Sequence, residues 1–522
     1  MNAPERLLPR PPESHDPSAW LDPLHGPWAL DFERWPPDQA QRWRCVLARA
    51  AGGRLALLAA RPCDALLQQV AEGRLGRRVT WVVCDEGALA HWLGSAETGF
   101  RALSGLADAG ADAAGEAAPA LQELSALHLA EQASPVVRLL DAVLFDALQD
   151  GASDIHIETT ARGALIRLRI DGVMAPLRQI DGAALAEQLV SRLKVMAELD
   201  IGERRLPQDG RFKLRMQGRE IDFRLSIMPS VFGEDAVVRV LDRAAVVHGQ
   251  GALTLDSVGL DPLTRAALRG LARLPHGMLL VTGPTGSGKT TTLYAAIGET
   301  LSGQDKVITI EDPVEYQLPG VVQIPVNEKK GLTFARGLRS ILRHDPDRVM
   351  VGEIRDPETA QIAVQAALTG HLVFSTVHAN SAFDVIGRFM HMGLDLYNVV
   401  SALNAVLAQR LMRQVCPHCA QPHAPAPDLL QRLGLQADAG RWMKGAGCAL
   451  CRGSGYRGRA AVAELLRLDD GLRDLIAARA PMSQIKLAAR ERGMNPLRDV
   501  ALAQVRAGLS TFEELDRVTL DA

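Results

Sequence analysis

Three rhythms of apolar and polar positions follow one another along the chain. In residues 1–105, Leu55-Ala56-Leu57-Leu58-Ala59 and Val79-Thr80-Trp81-Val82-Val83 are short apolar runs that predict strands. A helical pattern runs from Pro62 to Glu72 between them, and a second surrounds Leu89 and Trp92. A small N-terminal α/β domain is expected, behind a proline-rich start that reaches Pro37. The tryptophans concentrate here, which a small core explains more simply than a partner surface. Residues 106–120 are largely Ala, Gly, Asp and Glu and read as a linker.

The second rhythm is strict alternation. Ser134-Pro135 opens a helix with proline at its first position. Leu165-Ile166-Arg167-Leu168-Arg169-Ile170 then alternates apolar and basic residues and ends in the turn Asp171-Gly172. A helix is expected over 183–198, and further alternating strands start at Arg211 and Arg219. Residues 121–245 therefore form an α+β domain on an antiparallel sheet.

Beyond Thr254 apolar strands alternate with helical segments, the pattern of an α/β sheet, and this domain spans 246–522. Met278-Leu279-Leu280-Val281 leads into Gly283-Pro284-Thr285-Gly286-Ser287-Gly288-Lys289-Thr290, and a helix follows from Thr291. Strand, glycine-rich loop and helix in that order form a phosphate-binding loop. Its backbone N–H groups converge on phosphates at a helix N-terminus. Lys289 would reach the β- and γ-phosphates of ATP, and the Thr290 hydroxyl would join Mg²⁺. The chain has eight lysines against fifty arginines, yet lysine stands where the loop requires it.

Three more strands end in polar residues, where open α/β sheets bind ligands. Val307-Ile308-Thr309-Ile310 precedes Glu311, Asp312 and Glu315. Arg348-Val349-Met350-Val351 precedes Glu353, and Leu372-Val373-Phe374-Ser375-Thr376 lies between His371 and His378. Glu353 is placed to orient or activate water, or to hold Mg²⁺ through its waters; which of the four acids is the base stays open. His371 and His378 would sense the γ-phosphate.

At 522 residues, 47% hydrophobic and 23% charged with a formal charge of -3, the chain is globular and carries no polybasic signal for nucleic acid. No apolar run approaches a membrane span. The N-terminus has no apolar signal core, so the chain is expected in the cytoplasm. Four of seven cysteines form Cys416-Pro417-His418-Cys419 and Cys448-Ala449-Leu450-Cys451. Two CxxC loops suit one closed Cys₄ zinc site, in a subdomain over about 414–458, better than redox pairs. Leu407 to Arg413 is read as helical, so that this metal loop extends from helices of the third domain.

Gly283–Thr290, Glu311–Tyr316, Val351–Asp356 and Thr369–Asn380 resemble the Walker A, Asp, Walker B and His boxes of secretion ATPases. Type II secretion, type IV pilus assembly and DNA uptake share this family. The resemblance spans about 121–522, with Ala152–His156 and Arg224–Pro229 matching the family's preceding domain. It implies a RecA-like P-loop ATPase domain that assembles as a homohexamer. It also implies that Arg224 and Arg239 approach the triphosphate from the preceding domain. The tetracysteine resembles type II secretion and pilus-assembly ATPases and sets the chain apart from pilus-retraction ones, and the segment from Val406 to Cys419 favours type II secretion over pilus assembly. The N-terminal domain would dock on a membrane-anchored platform protein, placing the ATPase peripherally on the inner membrane. The rival readings are a nucleic-acid motor, which lacks a basic aromatic track, and a non-catalytic nucleotide-binding scaffold, which Lys289, Thr290 and Glu353 disfavour.

Overall fold

The computed structural model describes residues 28–50, 52–61, 65–99, 134–216, 218–242, 253–436 and 440–519, with Leu21 and the short strand Gln122–Glu123. The proline-rich start up to residue 20 and the expected linker lie outside the described residues. The chain divides into two units, Met1–Asp242 and Arg243–Ala522.

The first unit contains two sheets. Strands β1 (Trp28–Leu30), β2 (Cys45–Ala50), β3 (Leu55–Ala59) and β4 (Thr80–Val83) stand in the order β1-β2-β3-β4. All five residues of β3 are buried, which is why it reads as one apolar run. β3 and β4 are parallel, as a crossover through helix Ala65–Leu75 requires. Trp35 and Trp92 are buried in this small core.

The second sheet holds β5 (Gln122–Glu123), β6 (Asp154–Thr160), β7 (Gly163–Ile170), β8 (Val173–Asp181), β9 (Gln208–Met216), β10 (Arg219–Ser230) and β11 (Gly233–Leu241). Their order is β5-β9-β10-β11-β6-β7-β8, antiparallel except between β5 and β9. Asp171 and Gly172 both take positive φ, 48° and 83°, as the tight hairpin between β7 and β8 demands. Period-two alternation places Ile221, Phe223, Leu225 and Ile227 in the core with helices Pro135–Gln149 and Ala183–Met196. Arg224 is therefore on the opposite face, directly across from Arg211 on β9 and Arg239 on β11.

The second unit is built on β12 (Gly277–Thr282), β13 (Val307–Glu311), β14 (Val322–Pro325), β15 (Arg348–Val351), β16 (Leu372–Val377), β17 (Leu403–Val415) and β20 (Tyr456–Arg467). The order is β14-β13-β15-β16-β12-β17-β20, with only the last pair antiparallel. A separate pair, β18 (Ala420–Pro422) and β19 (Met443–Gly445), lies among the cysteines. The six residues of β12 and of β16 are all buried, so both strands are core on both faces.

One expectation is corrected here. Leu407–Arg413 is not helical: it belongs to β17, paired with β12 on one side and β20 on the other. Leu, Ala, Gln, Arg and Met favour helices, but propensity is a weak prior. Ala405 to Gln409 are buried in succession, which leaves no solvated stripe for a helix to present.

Candidate functional site

The phosphate loop is stitched to its neighbours before it turns. Thr282, the last residue of β12, places Oγ1 2.8 Å from the Val377 carbonyl and 2.9 Å from that of Ala379, and accepts the Ala379 N–H at 2.9 Å. The ends of β12 and β16 are thereby fixed together. Gly283 has φ 144°, and a Cβ there would stand 2.3 Å from the Gln409 carbonyl oxygen. Gly288, φ 82°, caps helix Lys289–Gly298. Lys289 Nζ donates back to the carbonyls of Gly283 at 2.9 Å and Pro284 at 3.0 Å. Burial lowers its pKa; the Glu353 charge opposes the shift and Arg410 adds to it. The Ser287 hydroxyl is buried without a hydrogen-bond partner. An orphaned hydroxyl inside a loop of convergent N–H groups fits an anion better than a sealed core.

Glu353 follows β15, and the sheet order puts β16 between β15 and β12. All three strands are parallel, so their carboxyl ends meet on one edge. Arg355 Nη2 stands 2.7 Å from Glu353 Oε1, and His378 Nε2 stands 3.4 Å from Oε2. Burial lowers the His378 pKa, and Lys289 lowers it further, while Glu353 pulls it up. Lys289, Glu353 and His378 thus share one electrostatic neighbourhood. Two hydrogen bonds brace the backbone there: Thr376 Oγ1 donates to the Gly352 carbonyl at 2.7 Å, and the Ile354 N–H to the Thr376 carbonyl at 2.9 Å.

The remaining candidates are dispersed. Glu311 is 2% exposed, and its carboxylate accepts from Thr309 Oγ1 at 2.5 Å, from Gln323 Nε2 at 3.2 Å and from the Tyr294 hydroxyl. It ties the helix after the loop to β13 and β14. Asp312 is exposed and lies within the field of Arg355, whose pKa is raised first by Glu353 and also by Asp312. Glu315 is half-buried. His371 stands at the opposite end of β16 from His378, with Nδ1 3.1 Å from the Ala366 carbonyl. Its own carbonyl accepts the N–H of Gly277, where β12 begins. Seven residues of extended chain span about 20 Å, so the structure does not bring His371 to Glu353 and Lys289. In the first unit, Arg239 Nε lies 3.0 Å from Asp154 Oδ1.

The four candidate cysteines converge. Their sulfurs all lie within 4.8 Å of one another, with Cys416–Cys448 at 3.9 Å, Cys419–Cys451 at 3.7 Å and Cys448–Cys451 at 3.7 Å. A disulfide would need about 2.05 Å. The knuckle closes because Gly455, φ 76°, passes Gly445 so closely that a Cβ would stand 2.6 Å from the Gly445 carbonyl oxygen. Burial raises the Cys451 pKa, but its Sγ accepts the N–H groups of Cys448 at 3.1 Å and Gly455 at 3.3 Å, and these and the neighbouring thiols bring it below the usual thiol range, while burial and the same thiol contacts raise that of Cys419. N–H donors that favour a thiolate belong to a metal site more than to a packed thiol.

Residues 129–517 match the family described as Type II/IV secretion system protein. The chain belongs to that family. This secretion ATPase also carries a match to the MshEN domain over residues 23–101. It is 49% identical to Type II secretion system protein E of Dickeya dadantii (strain 3937), over 74% of this chain and 76% of that one. It is 41% identical to Type II secretion system protein HxcR of Pseudomonas aeruginosa, over 91% of this chain and 94% of the relative. The crystallised Yersinia pseudotuberculosis ATPase DotB has a TM-score of 0.54 at 20% identity, covering 75% of this chain and 97% of that one, a likeness of fold.

Several residues around the loop of this secretion ATPase escaped the sequence reading. Gln409 is wholly buried beneath it, Arg410 Nη2 reaches the Asn380 carbonyl at 2.9 Å, and Arg355 holds Glu353. A glutamine directly after the apolar run Ala405–Ala408 was the available signal, since a buried amide needs partners.

Proposed function

We propose that this ATPase drives assembly of a pseudopilus for type II secretion, as a homohexamer on the cytoplasmic face of the inner membrane. The observation that carries the reading is the meeting of Lys289, Glu353 and His378 at the carboxyl ends of β12, β15 and β16. The loop from Gly283 to Thr291 would hold the phosphates, and Glu353 would orient the attacking water, with Asp312 and Glu315 as further carboxylates around the metal. Bound Mg²⁺, with the Thr290 hydroxyl among its ligands, would neutralise charge developing on the phosphates. The MshEN match over residues 23–101 supports docking of this domain on a membrane-anchored platform protein. No helix among the described residues is long and apolar enough to cross a membrane.

Arg224 and Arg239 would approach the triphosphate and tie turnover to domain closure. The test is made in cells that keep the secretion machine but lack their own ATPase of this kind. The wild-type chain should restore export of secreted proteins. The Arg224→Ala/Arg239→Ala double variant should form the same hexamer, by light scattering, yet lose about 10³-fold in turnover and fail to restore export. Failure of the wild type would remove the secretion role. A double variant with normal turnover would return both arginines to a solvated sheet face.

The metal of the cysteine cluster is proposed to be structural zinc. Four thiolates at about 2.3 Å around a tetrahedral ion stand about 3.8 Å apart, against 3.7 to 3.9 Å for the three spacings above. Cys416→Ser/Cys419→Ser should release one zinc per chain and speed hydrogen exchange throughout 410–460. Metal binding at such sites, about 10–16 kcal/mol in zinc-finger peptides, is also folding energy. Wild-type protein that contains no zinc by elemental analysis, when purified under reducing conditions, would end the claim.

A further inference from the structure

β17 passes directly beneath the phosphate loop, and Gln409 is the side chain it places there. Gln409 is 0% exposed, and both ends of its amide are engaged. Nε2 donates to the Ser287 carbonyl at 2.8 Å, and Oε1 accepts from Thr292 Oγ1 at 2.8 Å. The orientation of the amide follows from chemistry: the Ser287 carbonyl can only accept, so the NH₂ must face it. The fit leaves no slack. A Cβ on Gly288 would stand 3.0 Å from Gln409 Nε2, and one on Gly283 would meet the Gln409 carbonyl oxygen.

We propose that Gln409 is a positioning residue for phosphate binding, one that aims the Gly288 N–H at the phosphates. The peptide unit is planar, and that fixes the direction of the N–H. The carbonyl of Ser287 and the N–H of Gly288 belong to one trans unit and point in opposite directions. Gln409 draws that carbonyl down into the core, so the N–H turns up towards the mouth of the loop. This N–H sits where helix Lys289–Gly298 begins, the position from which helix ends bind anions. The other end of the amide holds Thr292, whose own N–H donates to the Gly288 carbonyl at 3.0 Å. Loop and first helical turn are thereby fixed as one piece. Gly283, Gly286 and Gly288 all take positive φ, and so flexible a loop is costly to order when a ligand arrives. Ordering it in advance converts directly into affinity.

The role rests on the reading that this loop binds ATP, and the test separates the two. Gln409→Glu keeps the acceptor for Thr292 and, in its ionised form, removes the donor to Ser287. Gln409→Met fills similar space with no hydrogen bond at all and serves if the Glu variant does not fold. Either variant, with melting temperature and zinc content near wild type, should bind ADP at least tenfold more weakly in a fluorescent-nucleotide titration. KM for ATP should rise by a similar factor while kcat changes less than threefold, because the aimed N–H serves ground state and transition state alike. Thr292→Val, which removes only the second arm, should change ADP affinity less than threefold. Lys289→Ala is the control. If it loses turnover while a folded Gln409→Met binds ADP as the wild type does, the positioning role is overturned and the ATP site stands. If Lys289→Ala also turns over normally, the ATP site itself is misplaced and the proposal falls with it.

Discussion

Lys289→Ala should bring ATP turnover to background, a loss of more than about 10³-fold, without unfolding the protein. Lys289 Nζ is tied to the carbonyls of Gly283 and Pro284, so the ammonium is held over the loop before any ligand arrives. Removing it frees two carbonyls at a partly exposed site, where water can replace the lost donor. Removing its charge is another matter. Burial already lowers the pKa of this lysine, and of the charges acting on it Glu353 favours the protonated form. Phosphate oxygens would favour it far more, and Arg410, the other cation acting on this lysine, is engaged with the Asn380 carbonyl. Lys289→Arg should rescue poorly, because a planar guanidinium is a different shape from the compact ammonium that fits these two carbonyls. ATPase assays beside a thermal melt check both halves of the statement. Turnover near wild type in the Ala variant would place the active site elsewhere.

The parts most legible in the sequence are those where geometry admits few residue types. Positive φ at Gly283, Gly286 and Gly288 demands glycine, so the loop announces itself. Buried parallel strands need continuous apolar runs, and β12 and β16 were readable for that reason. The two CxxC pairs were legible from their spacing alone, and their four sulfurs do converge. β17 was illegible because its residues are good helix formers, and only pairing with β12 and β20, distant in sequence, makes it a strand. Glu311 read as one more acid at a strand end; that its carboxylate turns inward to Tyr294 and Gln323 depends on where two other elements pack. His371 was different. Its separation from His378 by a six-residue strand could have been converted to a distance, and about 20 Å excludes a shared role at one phosphate within one chain.

Glu353→Gln should bind ATP and hydrolyse it about 10²–10⁴-fold more slowly, the range for loss of a positioned general base. The substitution keeps the volume, and the amide oxygen can still accept from Arg355, so the turn after β15 should hold. What disappears is a negative charge at the meeting point of three strand ends. His378 offers an independent readout. Burial and Lys289 lower its pKa while Glu353 raises it, so in the Gln variant it should titrate at lower pH than in the wild type. With its pKa lowered further, it would be a weaker base in the variant than in the wild type and would not restore the rate. Asp312, exposed beside Arg355, and Glu315, half-buried, are the acids that could share the work. Asp312→Asn and Glu315→Gln, measured beside Glu353→Gln, separate them by the size of the loss in kcat at saturating ATP. If Glu353→Gln instead fails to bind ATP with Mg²⁺, this carboxylate belongs to metal binding, and the base must be sought in the segment after β13.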